Sequence, residues 1–337
     1  MSDVIQQHYV SQFILREFVA PDGMLEVMER GKSRSFRSKP DRVACERFYN
    51  ATLQPDGTID TQSVEKRLSE IETCSAPLMR KLVAGEGLSA DERKVLSNFI
   101  AIQDFRSLRK RQEYSDLILA VEHHKLRAQT PTSVEEMLRL VRNACENPKQ
   151  FELEARFEDA GLRFDGDGTV CISREETMAA LNAAAHFGPV ISEMKWTLFQ
   201  AEKTFPFIIS DSPVVLWENP KTLEKHAGPA YWRPGTLVSL PLSPTIMFVA
   251  SYASETSFVA QLESERVATQ AATNRHVRFF NELQILGAHR YVYATTDNDG
   301  LRRKIARLQP RETAIAFAPR DASGNPISVH MIRPRNG

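Results

Sequence analysis

His8, Gln12 and Arg16 stand four residues apart near the start of this chain, so on a helix they would form one polar line. An imidazole that donates or accepts, an amide that does both and a guanidinium that only donates can together hold an anion or pass a proton. Further on, Gln103 shares a face with the apolar Leu96, Phe99 and Ile100, and Arg106 follows one turn later. A glutamine in an apolar stripe must find partners once buried or cost a few kcal/mol, and the arginine calls for a carboxylate or a phosphate. Glu65 and Glu72, seven apart, flank one edge of another apolar stripe. Asp211 closes the run Phe207-Ile208-Ile209-Ser210 and precedes Ser212-Pro213. A carboxylate at a strand end is held rigidly where a loop can open a cleft, although Asp-Ser-Pro is equally good turn chemistry.

If these groups converge, His8, Asp211 and Glu72 are the candidate acids and bases, and Gln12, Arg16, Gln103 and Arg106 the candidate substrate contacts. That set suits hydrolysis of a phosphodiester or another anionic, phosphate-containing ligand, and the carboxylates admit a divalent metal. The rival is a non-catalytic binding or regulatory protein in which the same residues form a structural network, with Arg106 paired to Glu65 or Glu72. An open pocket would favour the first reading, and mutual satisfaction away from water the second.

The elements that must position these residues follow from periodicity. Residues 8–18 read as a helix with Tyr9, Val10, Phe13, Ile14 and Phe18 inward. Met24–Glu29 and Ser33–Ser38 read as a small hairpin, and Pro40-Asp41 as the start of a short helix toward Cys45. A long helix spans about 61–84, with Pro77 able to kink or divide it. Ser89 and Glu92 form a capping-box pair that opens the next helix, expected to reach Arg111. Its basic end, Arg109-Lys110-Arg111, suits a helix C-terminus. Helices are expected at 114–128, 132–147 and 174–186, with a loop or small hairpin at 157–172. From about residue 193 the pattern turns to strands, at 196–201, 207–210, 214–217, 236–242 and 245–251. A long helix at 256–284 and strands at 290–295 and 312–318 complete the chain. The fold class is therefore α+β: a helical N-terminal half with a small β-hairpin, and a C-terminal half of mostly antiparallel strands plus one long helix. Residues 1–190 form the first region, 191–325 the second and 326–337 a mobile tail; the two regions can also make one continuous domain.

Composition narrows the classes. At 337 residues with 42% hydrophobic and 26% charged residues the chain is globular, and 43 basic against 43 acidic residues give no net charge. Bulk charge gives no strong nucleic-acid signal. No signal peptide or apolar run of membrane length is present, and the four scattered cysteines suit reduced thiols, so a cytoplasmic protein is expected. There is no Walker A loop, G-x-S-x-G elbow, H-E-x-x-H pair, zinc finger or recognisable helix-turn-helix.

The segment His8-Tyr9-Val10-Ser11-Gln12-Phe13-Ile14-Leu15-Arg16-Glu17-Phe18 resembles the hallmark of a bacterial family of unknown function, His-Tyr-Val-Pro-Gln-Phe-x-Leu-Arg-x-Phe. Ser11 stands where that family usually has proline. Glu65 with Glu72, Phe99 to Arg106, Trp196, the Ser210-Asp211-Ser212-Pro213 turn, Pro241 to Pro244 and Asn281 are also similar to the family pattern, with Ser212 in place of asparagine. The resemblance runs over nearly the whole chain. It implies membership and brings no established activity with it.

Overall fold

The computed structural model describes residues 6–47, 49–53, 59–111, 113, 162–164, 170–172, 185–219, 229–252 and 268–308. The start of the chain departs from the single helix expected over 8–18. Strand β1 (Gln6–His8) comes first, and the short helix α1 (Gln12–Leu15) begins only after Ser11, passing into a 3-10 turn at Arg16–Phe18. The cause is a non-local partner. Leu25–Glu29 (β2) pairs antiparallel with Ser35–Ser38 (β3) as the expected hairpin, and beyond it β4 (Cys45–Arg47) returns to lie against β1, with His8 opposite Cys45. His8, Gln12 and Arg16 therefore do not form a helical stripe, because His8 belongs to a strand. The short helix expected from Pro40 is a single 3-10 turn, Pro40–Arg42. The chain then reaches β4 through Ala44, whose φ of 52° is the left-handed value that non-glycine residues rarely adopt.

A two-residue pair, β5 (Thr52–Leu53) with β6 (Ile59–Asp60), leads to α2 (Ser63–Val83), which accommodates Pro77 without dividing. Helix α3 (Ala90–Phe105) opens on the expected capping box: Ser89 Oγ accepts from Glu92 N at 3.2 Å, and Glu92 Oε2 accepts from Ser89 N at 2.7 Å. It ends at Phe105, with Arg106 as C-cap, and helical geometry resumes over 108–111. The helices expected at 114–128 and 132–147 and most of that at 174–186 lie outside the described residues, while 185–193 are helical. Strands β7 (Leu162–Phe164) and β8 (Val170–Ile172) form an antiparallel pair.

The strand-rich part then follows: β9 (Lys195–Gln200), β10 (Ile209–Ser210), β11 (Val215–Trp217), β12 (Leu237–Ser243), β13 (Ile246–Ser251), β14 (Ala268–Ala271) and β15 (Tyr291–Ala294). Two sheets result, in the orders β10-β15-β2-β3 and β11-β12-β13-β9-β14. All their pairings are antiparallel except β14 with β9. The strand β14 falls inside the helix expected at 256–284, whose first part lies largely outside the described residues. Parallel pairing with the buried β9 overrides the local helical pattern. Helix α4 (Asn274–Gly287) begins three residues later on a second capping box, Thr273 with His276. Helix α5 (Asp299–Arg307), which periodicity did not announce, is capped by Asn298 Oδ1 on Leu301 N at 3.0 Å. The strand expected at 312–318 and the tail at 326–337 lie outside the described residues.

The protein is α+β. Its chain makes two compact units, Met1–Arg111 with Ala180–Glu312 and Gln112–Ala179 with Thr313–Gly337. In the first, Phe199, Phe207, Met247, Val249, Val277 and Phe280 build one apolar core between the five-stranded sheet and α4. Met28, Ile208, Ile285, Val292 and Ile305 build another between the four-stranded sheet and α5.

Candidate functional site

The polar residues around the N-terminal segment converge on Ser11. Its N–H donates to Gln103 Oε1 at 3.1 Å, and its hydroxyl lies 2.9 Å from the same oxygen and 2.8 Å from Glu72 Oε1. The other end of the Gln103 amide donates to the Tyr9 carbonyl at 2.9 Å. Gln103 thus closes both sides of a two-residue stretch of main chain, which is why a glutamine sits in the apolar stripe of α3. Arg106 places one guanidinium nitrogen 2.6 Å from Glu72 Oε1 and 3.0 Å from Ser11 Oγ, and donates through the other to the His8 carbonyl at 2.6 Å. The arginine side chain is 3% exposed and its glutamate 26%, so the pair is the buried floor of the cluster with one edge reaching water. Of the two glutamates expected as partners for Arg106, Glu72 takes the role. Glu65 accepts instead from Asn50 Nδ2 at 2.5 Å, and burial raises its carboxyl above the usual range.

His8, Gln12 and Arg16 are joined end to end, although not by a helix. Arg16 donates to Gln12 Oε1 at 2.7 Å, and Gln12 Nε2 meets His8 Nδ1 at 3.3 Å. Burial, and then the Arg106 charge, lower the His8 ring below its ordinary value of 6.5 against the opposing pull of Glu72. A half-buried His8, a half-buried Gln12 and an exposed Arg16 make this line the accessible rim of the cluster.

Asp211 does not join it. Its Oδ1 accepts from His289 N at 2.7 Å, and its Oδ2 from Arg290 N at 2.6 Å and Tyr291 N at 2.7 Å. The side chain is wholly buried, and desolvation raises its carboxyl against the pull of those three donors. These donors lie 78 to 80 residues along the chain, so Asp211 fastens a distant segment rather than making the local turn that Asp-Ser-Pro suggested. Its charge still bears on the Tyr9 phenol, which burial holds well above its ordinary value. Among the described residues no three of His, Cys, Asp and Glu gather as a metal would need, so the expected option of a metal on the carboxylates finds no cluster there.

Several residues to which sequence reasoning gave no such fastening role do the same work as Gln103. Gln284 on α4 accepts from Ser210 N at 3.0 Å and donates to the Pro213 carbonyl at 2.8 Å, and Asn281 holds Ile208 N and the Pro206 carbonyl. Gln7 accepts from Asn50 N at 2.5 Å and donates to the Thr61 carbonyl at 2.8 Å. Arg30 Nη1 reaches the carbonyls of Ile285, Leu286 and Ala288 at the end of α4, and Arg109 Nη1 that of Gly287 at 3.2 Å. The available signal was type and place: amides on otherwise apolar helix faces.

Fold and cluster together define an α+β protein whose extended segments are fastened to helices by buried side-chain amides, with a basic rim at the N-terminal segment. The chain belongs to the family described as "Protein of unknown function (DUF4238)", whose model matches residues 6–298. No curated protein and no solved structure matches the chain. Among the described residues, no helix is long and apolar enough to cross a membrane.

Proposed function

We propose that this chain is a non-catalytic binding or regulatory protein and that the polar cluster beneath its N-terminal segment is architectural. One observation carries the reading: the charged and amide groups are spent on one another. Ser11, Glu72, Gln103 and Arg106 hydrogen-bond one another, and both Asp211 carboxylate oxygens are filled by main-chain N–H groups. A general acid or base needs a free site facing a substrate; Asp211 offers none, and Glu72 is held through Oε1 by Ser11 and Arg106. What is left for a partner is the rim, where among the described residues Arg16 hydrogen-bonds Gln12 and meets no carboxylate. A phosphate-containing or other anionic group is the chemistry that an exposed guanidinium recognises. Cys45 and Cys74 are free thiols, which supports a reducing, cytoplasmic setting for a bacterial protein.

Hydrolysis of a phosphodiester is the second reading, favoured by the hydrogen-bonded line from Arg16 through Gln12 to His8, which could hold a catalytic imidazole. Turnover of bis(p-nitrophenyl) phosphate with Mn²⁺ separates the two. On the binding reading the wild-type chain matches buffer. Turnover that disappears in a folded His8→Ala chain would establish the hydrolase instead.

A further inference from the structure

Arg16, Gln12 and His8 are linked in an order that fixes where protons sit. A guanidinium carries donors only, so the face of the Gln12 amide toward Arg16, at 2.7 Å, is its oxygen. The NH₂ face is then the one turned to His8 Nδ1 at 3.3 Å, and an NH₂ requires an acceptor there. Nδ1 is therefore unprotonated, and the proton of the neutral ring is on Nε2. Nε2 is enclosed and has no hydrogen bond of ordinary geometry, while the main chain at Pro40 and Asp41 lies beside the ring.

We propose that the Arg16–Gln12 pair locks His8 as the neutral Nε2–H tautomer, and that protonation of this ring is the event that unlatches the N-terminal segment. On an imidazolium, Nδ1–H would face the Gln12 NH₂, donor against donor. Turning the amide over repairs that contact but presents its NH₂ to Arg16. One of the two bonds is lost in either case, so the line cannot absorb a proton intact. The groups facing the ring from each neighbouring element are Arg106 at the end of α3, Glu72 on α2, the main chain of Pro40 and Asp41 in the 3-10 turn, and Cys45 opposite on β4. Arg106 opposes the cation, Glu72 and the turn favour it, and burial opposes it most, leaving the ring below its ordinary value. The latched stretch leads directly into Tyr9, Val10 and Ser11, all buried, so its release would loosen a segment rooted in the core. The inference holds whether the rim binds a ligand or catalyses.

Long-range ¹H–¹⁵N correlation on the full chain, uniformly labelled with ¹⁵N, tests it, with His8→Asn identifying the signal. At neutral pH the wild type should show an unprotonated Nδ1 and a protonated Nε2, with a titration midpoint below 6.5. The amide signals of Ile14 and Leu15 should move with the same midpoint. In Gln12→Glu a carboxylate replaces the NH₂ donor, so the ring should carry its proton on Nδ1 and its midpoint should rise by about one unit. An Nδ1–H wild type, a wild-type midpoint at or above the ordinary value, or an unchanged ring in folded Gln12→Glu overturns the proposal. If Gln12→Glu does not fold, the wild-type tautomer and midpoint alone decide it.

Discussion

Gln103 satisfies the Ser11 N–H and the Tyr9 carbonyl at once, so shortening it strands two main-chain groups in a place water does not reach. Each buried group left unpaired costs about 1–3 kcal/mol, and Gln103→Ala should lower unfolding stability by roughly 2–4 kcal/mol in urea titrations. Ser11→Ala removes only a hydroxyl and leaves the main-chain bonds in place, so its loss should be smaller, about 1–2 kcal/mol. A folded Gln103→Ala chain of unchanged stability would mean that water or a ligand already serves these groups. His8 gives the pH dependence at this scale. Its folded ring is harder to protonate than the free one, so between the lowered value and 6.5 the unfolded chain binds more protons. Stability should therefore rise with pH through that window and fall as the pH drops through it. His8→Gln should flatten that part of a stability-versus-pH curve, measured as urea midpoints at fixed pH.

At the scale of elements, the ends of helices carry much of the tertiary information. Helix α4 has no basic residue in its last turn, and its terminal carbonyls are met instead by Arg30, which follows β2, and by Arg109. Charge-assisted bonds of this kind are worth about 1.5–3 kcal/mol, so Arg30→Met should cost about that much and increase hydrogen exchange at the C-terminal turn of α4. Ser89→Ala, which breaks a local capping box, should cost about 1 kcal/mol and affect only the first turn of α3. The contrast explains what was legible in the sequence. The β2–β3 hairpin, the capping box of α3, the long α2 and the strands β12 and β13 rest on neighbours close in sequence, and each was readable from periodicity. His8 was assigned to a helix because its strand partner, Cys45, is far along the chain, and β14 was hidden for the same reason by its pairing with β9. Helix α5 was missed although Asn298 caps it and Leu301, Ile305 and Leu308 share a face, because the signal is short. The site follows the same division. Gln103 announced a buried polar network by standing among apolar residues, and Arg106 with Glu72 followed from charge. Gln284 carries the same signal, an amide among Val277, Phe280 and Leu283, whereas Arg30 gave none, because its partners are main-chain carbonyls whose positions only the fold determines.

For the molecule as a whole, the N-terminal segment is the test of the architectural reading. Val10, Ile14, Leu15 and Phe18 are fully enclosed, and Tyr9 nearly so, beside the polar groups of α2 and α3. Fully burying one large apolar side chain contributes about 1.5–3 kcal/mol, so five of them outweigh the whole net stability of an ordinary domain, about 5–15 kcal/mol, or come close to it. Removing residues 1–18 would also leave Arg106, Glu72 and Gln103 without the groups that satisfy them. The truncated chain should therefore lose its cooperative unfolding transition. A peptide spanning residues 6–18, added in trans, should restore that transition in a saturable way, because everything that receives it lies in the remaining chain. A peptide carrying Gln12→Ala should restore it only at higher concentration, since it keeps the apolar anchors but lacks the latch to His8 and Arg16, whereas one carrying Ile14→Asp should not. If the truncated chain instead unfolds as cooperatively as the intact one, the segment is a detachable cover over Arg106, Glu72 and Gln103. Those residues would then be free to meet a substrate, and the catalytic reading would regain the ground it loses to mutual satisfaction.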